Sequence, residues 1–465
     1  MPGPRVSFVS LGCPKNLVDS EKMLGLLAEA GCAVVAPGLP ADVMVVNTCG
    51  FLSASRDEAL DILRDAADQK RRGSLRRLVV AGCLAQRDGQ GLVDAVPEID
   101  ALVGVNNRAD VVEAVLAKRP VRRGGRAGAG RAAALPVLHL GDYHPMQDGA
   151  WSDRARLRLT PRHYAYLRIS EGCDQKCTFC TIPSIRGPMH SKSPDEIEAE
   201  ARELIADGAS ELLLIGQDTT SYGRDRGAAG GLASLLRRLD RLEGLRWLRL
   251  MYVYPTEVDA GLIEAIAGCE RVVKYVDIPL QHSHDRVLKA MHRRIDRAAT
   301  ERLLGDLRRA MPEVTIRTTF IVGFPGETAT EFDDLLAFVG EQQFDMVGAF
   351  AFSSEPGTPA GRMKRQLPER EKQARVAALM ESQRAVAYAK AAARRGQTFE
   401  VVIDGFGRDG VYPARHAGQA PDIDSVTHVE GGEFDPGEFV RVRGTGSRGY
   451  DVLARPARQA LPVLR

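Results

Sequence analysis

The chain has 465 residues, with no excess of charge of either sign and no long apolar segment. It carries 63 Lys and Arg residues against 61 Asp and Glu residues, so net charge argues neither for nor against a nucleic-acid partner. No apolar run reaches the roughly 18 residues of a membrane span, so we expect no membrane association. The first residues lack the charged region and the apolar core of a secretory signal. We therefore expect a cytoplasmic protein.

The remaining composition is that of an ordinary soluble protein, at 44% hydrophobic and 27% charged residues. The length predicts about two to four domains. Without an export signal, the eight cysteines are better explained by metal binding or catalysis than by a disulfide framework.

The order of apolar runs and helical patterns predicts an α/β fold in four segments. Strand and helix patterns alternate through 4–118, which predicts an open parallel sheet with helices on its faces. A linker is predicted over 119–158, because 118–135 is rich in Gly, Ala and Arg and cannot bury a core. This stretch could instead be a basic arm that touches RNA.

Six further strand and helix pairs over 159–396 predict a parallel (β/α) barrel that is six-stranded or incomplete, with its active site at the carboxyl ends of the strands. The pattern changes over 397–465 to short apolar runs divided by Gly, Pro and Asp, which predicts a small antiparallel β-barrel.

The most informative motif is a loop with three cysteines in eight residues: Cys173, Cys177 and Cys180. Three thiolates on one tight loop can hold three corners of an iron–sulfur cube and leave the fourth iron open for a substrate. The alternative is a structural zinc site, which normally has four ligands. The fourth ligand would then come from a distant side chain, of which the candidates are Cys269, His190 and His282. Phe179, between the last two cysteines, either stacks on a flat ligand or simply packs.

A second group of three cysteines is predicted from the alternating pattern of the first segment. Cys13, Cys49 and Cys83 each follow a predicted strand, and ligands bind along the carboxyl edge of an open parallel sheet. Cys32 precedes its strand and is predicted to lie at the opposite edge. We expect a second iron–sulfur cluster with three protein ligands.

The three-and-two spacing, with an aromatic residue before the last cysteine, resembles the radical S-adenosylmethionine (SAM) superfamily. The resemblance implies that the open iron binds SAM and that one electron cleaves it to a 5′-deoxyadenosyl radical. It also implies that strand ends of the barrel contact SAM, which makes Gln217, Arg317 and Gly323, together with Phe179, candidate cofactor-binding residues.

Two groups of three cysteines followed by a β-barrel tail resemble the radical SAM methylthiotransferase family across nearly the whole chain. Members insert a methylthio group into a C–H bond, using SAM as methyl donor and radical source, while the second cluster carries the sulfur. The stretch Ser10–Glu21, with Pro14-Lys15-Asn16 after the cysteine, looks like the branch that modifies an aspartate β-carbon of ribosomal protein S-twelve. The tRNA-adenosine branch typically has Gln-Met-Asn there and is the alternative, with a non-catalytic metal-binding or RNA-binding protein as a further one.

Charge in the tail agrees with a protein substrate. Residues 400–438 contain nine acidic residues against Arg408 and Arg415. An acidic face repels a phosphate backbone and suits a basic protein, so we expect the tail, which resembles the TRAM module, to meet ribosomal protein S-twelve and not tRNA. The resemblance also implies a reducing electron donor such as flavodoxin or ferredoxin. The sequence leaves the oligomeric state open.

Overall fold

The computed structural model describes residues 3–117, 136–141, 152–227 and 230–457. The basic stretch predicted over 118–135 lies outside the described residues. The chain divides into two compact units, whose segments are Met1–Leu159, Glu171–Gln175 and Cys180–Glu196 for the first, and Thr160–Ser170, Lys176–Phe179 and Ile197–Arg465 for the second. The boundary predicted near residue 159 is therefore interrupted by two segments around the cysteine loop.

The first unit contains a six-stranded, fully parallel sheet in the order β2-β1-β3-β4-β5-β6. Its strands are β1 (Arg5–Ser10), β2 (Ala33–Val35), β3 (Val43–Thr48), β4 (Arg77–Gly82), β5 (Ala101–Val103) and β6 (Val137–His139). The open parallel sheet predicted from the alternation is confirmed. The assignment of 119–158 wholly to a linker was wrong, because β6 adds an edge strand that is too short for the sequence pattern to show.

Helices cover both faces of this sheet, as parallel sheets require. They are α1 (Pro14–Glu29), α2 (Ser53–Arg71), α3 (Cys83–Asp88), α4 (Gln90–Ala95) and α5 (Val111–Leu116). Alternate residues of β4 point to opposite faces, so Val79 packs with α1 and α5 while Val80 packs with α2, α3 and α4. The unit also holds the short helix α6 (Ile182–Arg186).

The second unit contains another six-stranded parallel sheet, in the order β14-β13-β12-β11-β10-β7. Its strands are β7 (Tyr164–Arg168), β10 (Glu211–Ile215), β11 (Trp247–Leu250), β12 (Val272–Asp277), β13 (Thr315–Val322) and β14 (Met346–Ala351); the two-residue strands β8 (Ser170–Glu171) and β9 (His190–Ser191) follow β7 along the chain. All six predicted strands are present, and the described strands form an open sheet with β7 and β14 at its edges.

The helices that alternate with these strands are α7 (Pro194–Ala206), α8 (Gly231–Leu239), α9 (Ala260–Gly268), α10 (Asp285–Ala290), α11 (Arg297–Ala310) and α12 (Ala329–Gln342). Helix α12 begins at a capping box, in which Thr328 and Glu331 satisfy each other's backbone N–H groups. Among the described residues, no helix combines the length and the apolar character needed to cross a bilayer.

A long helix, α13 (Glu369–Ala393), leads to a closed five-stranded barrel. The barrel strands are β15 (Thr398–Ile403), β16 (Val411–His416), β17 (Thr427–Glu430), β18 (Phe439–Arg448) and β19 (Asp451–Pro456). The predicted barrel is confirmed, with one difference: β17 and β19 pair in parallel, whereas the other pairs are antiparallel.

Buried ion pairs attach the barrel to the amino ends of the parallel strands. The Glu211 carboxylate, fully buried at the start of β10, accepts hydrogen bonds from Arg249 Nε and from Arg415 Nη1 of the barrel, both at 2.8 Å. Arg415 also pairs with Asp404 at 2.7 Å, and His163 Nε2 lies 2.9 Å from the same carboxylate. Because Glu211, Arg249 and Arg415 are out of water, separating the barrel from these strands would leave buried charges unpaired.

Candidate functional site

Three neighbouring strands bring Cys13, Cys49 and Cys83 to one edge of the first sheet. Cys13 lies between β1 and α1, Cys49 follows β3, and Cys83 begins α3 directly after β4. Strands β1, β3 and β4 are adjacent in the sheet, so their carboxyl ends stand side by side. The three thiols lie close together, because Cys13 raises the pKa of Cys49, and Cys13 and Cys49 both raise the pKa of Cys83. The juxtaposition predicted from the sequence is therefore present.

Two glycines allow this close approach. Gly12 has a φ of +92°, and a Cβ atom there would stand 2.8 Å from Cys49 Cβ and 3.3 Å from its Sγ. A Cβ atom on Gly50 would stand 2.9 Å from the backbone of Cys83. Any larger residue would push the cysteine-bearing loops apart, since real Cβ atoms do not approach so closely.

Burial raises the pKa of two of these thiols. Cys83 is buried, and desolvation raises its pKa to about 12, although the Arg186 guanidinium opposes the shift. Desolvation also raises the pKa of Cys49, against hydrogen bonds from the Phe51 backbone and the Ser55 side chain. Metal binding at this edge must therefore release protons, because thiolates are the ligands.

Arg186 is a residue of this site that the sequence reasoning missed. Its Nη2 atom lies 3.3 Å from Cys83 Sγ and 3.0 Å from Asp19 Oδ2, and its Nη1 atom donates to Glu171 at 2.9 Å. Ile185 packs beside Cys83 in the same apolar cluster. Arg186 is six residues beyond Cys180, and an arginine that close to a metal loop was the available signal.

Two asparagines brace the loops at the sheet edge. Asn16 Nδ2 donates to the Leu11 carbonyl, and Asn47 Nδ2 donates to the Asn16 carbonyl at 2.8 Å and to Ser20 Oγ at 2.7 Å. Asn16, the last residue of the Pro14-Lys15-Asn16 motif, therefore fixes the loop that carries Cys13.

The cysteine loop, with Cys173, Cys177 and Cys180, is divided between the two compact units. In the first unit, the Cys173 N–H donates to the Gly187 carbonyl at 3.1 Å, and Cys180 Sγ accepts from the Ile182 N–H at 3.4 Å. In the second unit, Cys177 Sγ lies 3.7 Å from Arg293 Nη1. Backbone and guanidinium N–H donors directed at sulfur are the environment in which thiolate ligands of iron are found.

The Cys177 segment is fixed to the helix that follows β12. Thr178 Oγ1 donates to the Ala290 carbonyl at 2.9 Å, and its N–H donates to the Met291 carbonyl at 3.1 Å. The Arg293 guanidinium lies over the Tyr254 ring at 4.1 Å from its centroid, and Nη2 donates to the Pro279 carbonyl at 2.6 Å. These contacts hold Arg293 in place beside the thiol.

The remaining predicted site residues occupy different places. Phe179 packs at the edge of an apolar cluster with Phe324 and is partly exposed. Gln217 follows β10 and Gly323 follows β13 with a φ of +72°, so both stand at carboxyl strand ends. Placing Arg317 at a strand end was wrong, because it is the third residue of β13.

Arg317 is held in ion pairs on the barrel side of the sheet. Its Nη1 atom lies 2.8 Å from Asp277 Oδ1, and its Nε atom lies 3.3 Å from Asp424 Oδ1. Tyr275 donates to the same Asp424 at 2.8 Å. Whether Phe179, Gln217, Arg317 and Gly323 contact SAM stays a prediction.

The structure gives no support to a single-ion zinc site. Across the described part of the chain, no three His, Cys, Asp or Glu side chains converge as ligands of one ion would. Cys269 and Cys32 are buried in apolar clusters, and burial lowers the pKa of His282 to about 3. A cubane cluster places its thiolates on different irons, so its ligands stand farther apart than those of one ion. The six cysteines with their N–H donors fit that group.

Comparisons with known proteins agree with this architecture. Three family models match: the radical SAM superfamily over residues 167–339, the uncharacterized protein family UPF0004 over 5–104, and the TRAM domain over 396–456. Among solved structures, the radical S-adenosylmethionine methyltransferase TsrM from Kitasatospora setae matches with a TM-score of 0.54 at 15% identity, covering 77% of each chain. That likeness shows a shared fold.

Curated relatives match along almost the whole chain. The ribosomal protein uS12 methylthiotransferase RimO of Bdellovibrio bacteriovorus is 42% identical over 97% of this chain and 96% of its own length. The RimO proteins of Anaeromyxobacter sp. strain K and of Trichlorobacter lovleyi are 42% and 41% identical, over 99% and 97% of this chain. With both cysteine groups and the barrel in place, the chain belongs to the RimO family of radical SAM ribosomal protein uS12 methylthiotransferases.

Proposed function

We propose that this protein attaches a methylthio group to the β-carbon of an aspartate in ribosomal protein uS12. The observation that carries the proposal is the presence of two separate groups of three cysteines, one on a single loop and one at the edge of the first sheet. When bound, an iron–sulfur cluster with SAM supplies radical chemistry, and a second cluster supplies a place for sulfur.

The residues of the cysteine loop and of the strand ends would hold the radical-generating cluster and SAM. Cys173, Cys177 and Cys180 would hold the radical-generating cluster, and Arg293 would offset negative charge at Cys177. Gln217 and Gly323 stand at carboxyl strand ends, where ligands of parallel barrels bind, which supports a SAM-facing role.

Cys13, Cys49 and Cys83 would hold the second cluster. Support comes from their shared sheet edge and from the glycines that let the three loops approach. Support also comes from Arg186, since a buried cation compensates the charge that a thiolate-bound cluster brings.

For the partner, the proposal rests on a small part of the acidic tail. Five of its nine acidic residues pair with other side chains of the second unit: Glu400, Asp404, Asp422, Asp424 and Glu430. The other four are exposed in two loops joined by a hydrogen bond from the Gly431 N–H to the Gly410 carbonyl: Asp409, Glu433, Asp435 and Glu438. Phe406, 77% exposed, lies in the first of these loops. We define these four acids with Phe406 as the acidic loop surface and propose that it meets basic uS12.

Binding measurements on reconstituted protein test this surface. Asp409→Lys with Glu433→Lys should weaken binding to purified uS12 by more than tenfold and flatten its salt dependence. Glu264→Lys with Glu313→Lys, which changes the net charge equally on exposed helix and loop positions of the parallel sheet, is the matched control. Equal losses in both variants would show that net charge alone drives binding.

Mass spectrometry of uS12 from a deletion strain tests the activity. The aspartate should lack the methylthio group in that strain and regain it when the wild-type gene is restored. Persistence of the modification without the protein would refute the proposal, and loss of methylthio-adenosine from tRNA instead would establish the tRNA activity.

Cysteine variants separate the two groups. Cys177→Ala should abolish 5′-deoxyadenosine formation from SAM, because the radical-generating cluster cannot assemble. Cys49→Ala should retain that reaction and lose methylthio transfer. A fully active Cys49→Ala enzyme would remove the case for the second cluster. Zinc in place of iron after anaerobic purification, with no SAM cleavage, would indicate a non-catalytic metal protein.

The electron donor remains a prediction from the family resemblance. Reduced flavodoxin and reduced ferredoxin should each be assayed for support of SAM cleavage, and failure of both would exclude these two classes.

A further inference from the structure

Arg186 connects the cysteine loop of the radical chemistry with the other cysteine group. It ends helix α6, which begins two residues after Cys180, and its side chain lies beside Cys83. These residues belong to the same compact unit. The guanidinium is 1% exposed, so its interaction with sulfur is not screened by water.

An alternating chain of buried charges fixes the position of this guanidinium. Arg186 pairs with Asp19, and Arg108 Nη1 lies 3.1 Å from Asp19 Oδ1 and 2.7 Å from Asp153 Oδ1. Lys192 Nζ completes the chain at 2.8 Å from Asp153 Oδ2. We call these five residues the charge chain. Because Arg186 is buried between the Asp19 and Glu171 carboxylates, it has little freedom to leave Cys83.

We infer that Arg186 is a positioning residue that sets the reduction potential of the second iron–sulfur cluster through its hydrogen bond to Cys83. The inference rests on the proposed function, since Cys83 must be a cluster ligand. Potentials of iron–sulfur clusters depend on net charge and on hydrogen bonds to the sulfurs. A cation that donates to a ligand sulfur stabilises the reduced, more negative state and so raises the potential.

The test isolates the second cluster. Cys173→Ala, Cys177→Ala and Cys180→Ala together remove the other ligand set, and anaerobic reconstitution should then give about four irons per chain. This triple variant is the parent for the comparisons below. If it failed to bind iron, the proposed second cluster would be refuted, and the inference with it. Binding of the cluster separates the two questions, because the potential is then measured by a redox titration followed by electron paramagnetic resonance.

Arg186 variants in this parent carry the measurement. Arg186→Met removes both charge and donor, and should move the potential to a more negative value. Arg186→Gln keeps a donor without charge and should move it less. Arg186→Lys keeps the charge but loses the guanidinium geometry at Cys83, so it should move the potential in the same direction by the smallest amount.

Arg108→Met is the matched control, because it breaks the charge chain at the Asp19 and Asp153 ion pairs and leaves Arg186 in place. Its potential should equal that of the parent. An unchanged potential in Arg186→Met, or an equal shift in Arg108→Met, would overturn the inference and leave Arg186 as a structural ion-pair partner.

Arg186→Met could also fail to fold, since it leaves two buried carboxylates short of a cation. Arg186→Lys then carries the test, because lysine keeps the charge but has a different reach and geometry: a negative shift in Arg186→Lys with none in Arg108→Met supports the inference. Identical potentials in Arg186→Lys, Arg108→Met and the parent would overturn it.

Discussion

Replacing Glu211 by glutamine should loosen the attachment of the barrel to the parallel sheet. The carboxylate is fully buried and receives one hydrogen bond from Arg249 and one from Arg415. Arg415 would keep Asp404, whereas no other ion pair is recorded for Arg249 among the described residues, and its side chain is 0% exposed. Breaking a buried ion pair by removing one partner costs about 3–5 kcal/mol.

Trp247 provides the assay, because its ring packs edge-on against Phe439 of the barrel with centroids 5.0 Å apart. The other tryptophan, Trp151, lies outside the described residues and should be replaced by phenylalanine. With a urea slope of about 3 kcal/mol per molar, the loss corresponds to a midpoint lower by roughly 1 M or more.

An exposed ion pair supplies the comparison for this measurement. Glu430→Gln removes the partner of Arg455, where the two side chains are 40% and 66% exposed, and should cost no more than about 1 kcal/mol. A Glu211→Gln midpoint that coincides with that of Glu430→Gln would refute the claim that burial makes the Glu211 contacts strong.

Three further predictions follow from the same structure. Gly12→Ala should lower the iron bound at the first sheet edge, measured by iron and sulfide analysis, because the new Cβ atom would collide with Cys49. Cys32→Ala and Cys269→Ala should keep full iron content and activity, since both thiols lie in apolar clusters; iron loss in either would contradict this assignment. Acid should weaken the barrel attachment: burial opposes ionisation of Glu211, but its two guanidinium partners outweigh this and lower the pKa. A lowered folded-state pKa stabilises the fold above the usual glutamate pKa of about 4.3, and this stabilisation is lost as the pH falls through the folded-state pKa. When the pH is lowered below about 4, the urea midpoint of the wild type should therefore fall more than that of Glu211→Gln.

The sequence predicted those parts of the fold that depend on local pattern. All but one of the strands of the two parallel sheets were visible as apolar runs, and Glu369–Ala393 was visible as a long stretch without Pro or Gly. The missed strand, Val137–His139, has three residues at a sheet edge and is only partly buried, so it leaves no apolar run to detect. Its partner Ala101–Val103 is fully buried, and the pairing exists only in three dimensions.

The candidate site was predicted to the extent that topology alone determines it. Carboxyl ends of adjacent parallel strands must meet, so Cys13, Cys49 and Cys83 could be grouped without coordinates. Ion pairs across long sequence separations could not be predicted. For this reason Arg186 was missed, and Arg317 was assigned to the ligand end of β13 when its partner Asp424 lies in the barrel.

The two cysteine groups differ in what must fold before they can form. Cys173, Cys177 and Cys180 lie within eight residues, so chain connectivity alone keeps their thiols near each other. The non-local group, Cys13, Cys49 and Cys83, needs three strands in register. Its thiols lie far apart in the sequence and come together only when the sheet has formed. The hydrogen bond from Arg186 to Cys83 links the local group to the non-local one. Arg186 ends helix α6, which begins just after Cys180. A mutation that disturbed the first sheet would therefore displace the non-local group first. Its effect would reach the local group through α6.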